Sequence, residues 1–91
     1  MNPMLKPTPI PFAGTDTLSF RQIDEMNGLT KGTTFRLFKA RVNQLVEGED
    51  YFYLPDESHG AMISALKETG QIYQRTTHLV LITAAGYGKL K

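Results

Sequence analysis

A chain of 91 residues with 10 Lys and Arg against 9 Asp and Glu, 41% apolar and free of Cys and Trp, has material for one hydrophobic core and not for two. Without cysteine there is no disulfide framework and no thiolate metal cluster, so packing must hold the fold, and a reducing cytoplasm is the expected compartment. Apolar runs of a few residues are too short for a membrane-spanning helix, and the prolines of MNPMLKPTPIPF interrupt any signal-peptide core, so neither a membrane anchor nor export is expected.

Pro3, Pro7, Pro9 and Pro11 forbid a helix at the start, and residues 1–16 read as an extended, proline-rich arm ahead of a single domain over 17–91. Ser19 with Gln22 three positions on forms the two halves of a capping box, and Leu18 with Ile23 has the spacing of a hydrophobic staple. The spacing predicts a short helix ending near Asn27-Gly28. A second helix is predicted from Lys31 or Thr33 to Leu45 or Val46, with Thr30 as its cap. Its inner stripe is Phe35, Phe38, Val42 and Leu45, and its outer side is Thr33, Arg36, Ala40, Asn43 and Gln44, flanked by Lys39 and Arg41.

Tyr51 to Leu54 reads as a strand stopped by Pro55. A helix opening at Asp56 or Ser58 follows, with Met62, Ile63, Ala65 and Leu66 inside and Gly70 at its end. Residues 79–82, Leu-Val-Leu-Ile, are apolar on both faces and predict a buried strand that pairs with Tyr51 to Leu54. Thr83 is placed to cap a last helical turn over 84–90. The order predicts an α+β domain in which a helix-turn-helix is backed by a two-stranded antiparallel sheet, a winged-helix-like arrangement.

The charge is unevenly divided. Residues 1–46 hold six basic and three acidic side chains, a net +3, whereas residues 47–91 hold four and six, a net −2. From Gly28 to Val46 there are four basic side chains and no acidic one, a footprint suited to a polyanion and equally that of a solvated helix face.

The stretch from Ser19 to Lys39 resembles the helix-turn-helix of MerR-type and excisionase-type DNA-binding proteins through Ile23, Gly28, Leu29, Thr30 and Thr33. It departs from that pattern at Asp24, where the family usually has Ala, and at Gly32 in the first turn of the second helix. The resemblance implies that the second helix lies in the major groove; two packed helices also serve simply as core. Glu47 to Leu54, Gly70 to Tyr73 and Leu79 to Tyr87 together resemble the N-terminal DNA-binding domains of phage antirepressors of the KilA-N and BRO-N class, with their Leu-Ile-Thr-x-x-Gly ending. That likeness spans about residues 18–90 and implies that the second half supports the helix pair.

The candidate DNA-binding residues are therefore Thr33, Arg36, Ala40 and Asn43, facing base edges, and Lys31, Lys39 and Arg41, facing phosphates, with Arg75 at a wing tip. Tyr51 and Tyr53 could stack on unpaired bases or pack within the sheet. His59 and His78 have no metal-ligand spacing, Asp50, Asp56 and Glu57 read as caps and loop charges, and the glycines form no phosphate loop. No metal, cofactor, small-molecule substrate or catalytic group is expected. The leading expectation is a small cytoplasmic, nucleoid-associated regulator of phage or mobile-element type that binds double-stranded DNA. It would act as a homodimer or with a partner regulator, joined through the helix around Met62 to Leu66. The competing expectation is a protein-binding module, such as a phage inhibitor or antirepressor, whose acidic second half meets a host or phage protein.

Overall fold

The computed structural model describes residues 8–90 and has the mixed α+β architecture expected. Strands β1 (Ile10–Phe12), β2 (Thr15–Ser19), β3 (Tyr51–Pro55) and β4 (His78–Thr83) form one antiparallel sheet in the order β1-β2-β4-β3. Helices α1 (Phe20–Met26), α2 (Thr33–Arg41), α3 (Asp56–Glu68) and α4 (Ala84–Leu90) pack around it, and a 3-10 turn over Val42–Gln44 extends α2.

β4 explains the architecture. Leu79 and Leu81 point into a cluster with Ile10, Leu54, Ile63, Leu66 and Ile72, on the face covered by α3. Val80 and Ile82 point the other way, into a cluster with Ile23, Phe38, Leu45 and Leu90 from the side of α1, α2 and α4. A central strand sandwiched between two layers must be apolar on both faces, which is what residues 79–82 show. Its pairing with β3, Tyr51 opposite Ile82 through Leu54 opposite Leu79, is the pairing expected.

Two strands more than expected complete the sheet. β1 and β2 form a hairpin, Phe12 opposite Thr15, that begins inside the stretch read as an arm and runs on to Ser19; residues 1–7 of that arm lie outside the described residues. Ala13 and Gly14, the two residues of the turn, both have positive φ (53° and 79°), as a tight hairpin of matching twist requires. Prolines argued against a helix here, yet they are compatible with an edge strand, where alternate N–H groups face away from the sheet. In this register Phe12 and Thr15 flank the turn as a hydrogen-bonded pair, so Pro11, opposite Asp16, turns its nitrogen outward. β2 then joins β4, Leu18 opposite Ile82, and leads directly into α1.

The capping box at Ser19 is present in both halves. Its Oγ accepts from the Gln22 N–H at 3.1 Å, and Gln22 Oε1 accepts from the Ser19 N–H at 3.0 Å. α3 follows Pro55 directly, with Asp56 and Glu57 in its first turn and non-helical backbone at His59. It ends at Gly70 (φ 76°), beyond which the Gln71 N–H returns to Leu66 O at 3.0 Å. Thr83 Oγ1 accepts from the Gly86 N–H at 3.1 Å and starts α4.

Candidate nucleic-acid interface

α2 follows α1 after a connection over residues 27–32, longer than the usual three or four residues, about, of a helix-turn-helix turn. Thr30 does not cap α2. Gly32 occupies the N-cap position with φ 90°, and the cap is supplied by another helix. Asp24 of α1, fully buried, accepts at Oδ1 from the Thr34 N–H (2.9 Å) and Thr34 Oγ1 (2.6 Å). At Oδ2 it accepts from the Gly32 N–H (3.0 Å) and the Tyr73 hydroxyl (2.5 Å). A carboxylate at this end of α2 also meets the positive end of the helix dipole. Burial pulls the Asp24 carboxyl upward, but the bonds from the Thr34 hydroxyl, Tyr73 and the two N–H groups outweigh it and hold the group below its ordinary value. Burial and the same carboxylate push the Tyr73 hydroxyl up to about 12.

Tyr73, fixed by Asp24, forms part of one wall of a groove of about 590 Å³ between α2 and residues 72–80. Lys31 Nζ lies over its ring at 5.1 Å and the Arg21 guanidinium at 5.7 Å, while Lys39 Nζ lies over the Phe35 ring at 5.5 Å. Phe20, Phe38, Ile72 and Val80 supply apolar lining, and Arg75 joins from the opposite side. No Asp or Glu lines the groove. Arg21 is paired with Glu25 at 2.9 Å; Lys31, Lys39 and Arg75 take part in no ion pair among the described residues.

Three of the eight candidate residues, Lys31, Lys39 and Arg75, thus meet around one groove. Arg36, Ala40 and Asn43 are exposed on the outer side of α2 and its 3-10 extension and do not line it. Thr33 is half-buried, and its Oγ1 accepts from Arg36 Nη2 at 3.4 Å. Arg41 is half-buried with Nε shielded from solvent and without a hydrogen bond, so it is not the fully solvated flank its spacing suggested.

Phe35, expected inside, is 47% exposed; Phe38 alone of the two rings is buried, because the sheet reaches only one side of α2. Tyr51 packs edge-on against Phe38 at 5.0 Å, whereas Tyr53, two residues on, is 43% exposed and lines the groove beside His78. Sequence reasoning missed Arg21, Phe35, Tyr73 and His78 as site residues. The departure at Asp24 was the available signal, since a carboxylate in the middle of an otherwise buried helix face must find donors.

Among the described residues no helix is long and apolar enough to cross a membrane, and no three His, Asp or Glu side chains gather as a metal site. The chain matches no protein-family model, no curated protein and no solved structure.

Proposed function

We propose that this domain belongs to a DNA-binding transcriptional regulator, of the phage or mobile-element kind that its sequence resembles, and that it presents α2 to the major groove of duplex DNA. Arg36, Ala40 and Asn43 face the base edges, and Lys31, Lys39 and Arg75 take phosphates. The observation that carries this reading is the convergence of Lys31 and Lys39 with Arg75, distant from them in sequence and like them in no ion pair among the described residues, around a groove with no carboxylate in its lining. A solvated surface has no reason to exclude acids so completely, whereas a polyanion site does. One α2 reaches only a few base pairs, so specificity calls for a second copy or a partner regulator on an adjacent half-site.

Fluorescence anisotropy with a labelled random-sequence duplex at low and moderate salt tests the reading. The expected result is binding that weakens steeply with salt and is lost in Arg36→Glu. In the Lys39→Ala/Arg75→Ala double variant, the logarithmic salt slope falls by about two. Absence of binding at low salt, or undiminished binding by Arg36→Glu, overturns it and favours a protein partner.

A further inference from the structure

Duplex binding through the outer side of α2 engages the cations around the groove and leaves its apolar lining unused. Phe35, on α2, and Tyr53, on β3, both line it half exposed, among apolar residues and cations. An aromatic ring left half exposed keeps apolar surface in water, and a phosphate backbone alone has nothing to place against an apolar surface. The groove volume of about 590 Å³ lies within the range of about 300–1,000 Å³ typical of small-ligand sites. Its occupant must therefore be both flat and apolar on one part and anionic on another. Cations seated on or beside aromatic rings, as Lys39 is on Phe35 and Lys31 on Tyr73, are the pairing that single-stranded nucleic-acid grooves use for phosphate and base together.

We infer that this groove takes one unpaired nucleotide of the bound DNA, its base against Phe35 and Tyr53 and its phosphates held by Lys31, Lys39 and Arg75. The inference rests on the DNA-binding reading and adds a preference for DNA in which one base has left the stack. An extruded or bulged base has already lost its stacking, so the groove regains for it what a paired base would have to surrender. Tyr73, held through its hydroxyl by Asp24, keeps Lys31 and Arg21 at the groove, while Phe35, with Lys39 over its ring, and Tyr53, beside His78, keep about half of their surface free.

The test compares a fully paired duplex with the same duplex carrying one unpaired central 2-aminopurine nucleotide, both titrated with the full chain at fixed moderate salt. A synthetic Glu- and Phe-rich peptide serves as competitor. The expected result is about tenfold tighter binding of the bulged duplex, with the 2-aminopurine fluorescence quenched on binding. Phe35→Ala and Tyr53→Ala bring the ratio of the two affinities toward one, and Val46→Ala, an exposed apolar residue outside the groove, preserves it. Thermal melting of each variant confirms that the fold is retained. Equal affinity for the two duplexes, with salt-dependent binding intact, overturns the inference and leaves the DNA reading standing. Loss of both, with binding of the acidic peptide in their place, overturns the two together.

Discussion

At the scale of single residues, Asp24 does more than any other side chain to set the site. One carboxylate joins α1 to the first turn of α2 and to Tyr73, and so fixes both sides of the groove. Asp24→Asn keeps the shape but turns an amide NH2 toward groups that donate, leaving at least one of them unsatisfied. The expected cost is about 2–4 kcal/mol in urea unfolding at neutral pH. The sign of the pH dependence follows from the lowered carboxyl: its contribution is complete above the ordinary carboxylate value and is lost as pH falls through the lower folded value. Stability profiles of wild type and Asp24→Asn should therefore converge as pH falls below the ordinary carboxylate range; a gap that stays constant would show that the carboxylate charge is not what stabilises. Asp24 was conspicuous in the sequence as a misfit. Its role was not legible there, because its partners Thr34 and Tyr73 lie 10 and 49 positions away and no local periodicity joins them.

At the scale of elements, local chemistry was legible and inter-element contact was not. The Ser19 capping box, the Gly70 helix end, the Thr83 cap and the β3–β4 pairing depend on neighbours or on a two-sided apolar run, and each stands where its residues suggested. The β1–β2 hairpin was missed because proline content was weighed against helix and not against an edge strand. The Leu-Ile-Thr-x-x-Gly ending of β4 and α4 has a physical basis visible only in three dimensions. A Cβ on Gly86 would lie 2.0 Å from Asp50 O, the same carbonyl that accepts from the Thr83 N–H at 3.0 Å. Gly86→Ala must displace α4 from the turn before β3 and is expected to cost about 2 kcal/mol or more. Gly88→Ala, in the same helix with nothing within 4 Å of the new atom, should instead gain about 0.5–1 kcal/mol. Paired thermal melts check both signs, and a gain of similar size in the two variants would mean that helix propensity rather than close approach governs α4.

At the scale of the whole molecule, two apolar clusters share one sheet, and β4 belongs to both. Leu81, fully buried beneath α3, is expected to cost about 2–5 kcal/mol on truncation to Ala, a large part of the roughly 5–15 kcal/mol that stabilises a small domain. Denaturant unfolding followed by circular dichroism checks this; a loss below about 1 kcal/mol would mean that the α3 layer is dispensable. The mixed class was legible from the order of apolar patterns. The three-layer stacking was not, because only contact between residues distant in sequence decides which helix covers which face. The two rims of the sheet carry a last consequence. On one, Pro11 presents no donor to the outside; on the other, the Gly48 N–H is bonded to Tyr51 O at 2.7 Å as the chain folds back beside β3. An incoming strand therefore meets an incomplete hydrogen-bonding ladder on either flank, which denies intermolecular cross-β growth a template on which to polymerise.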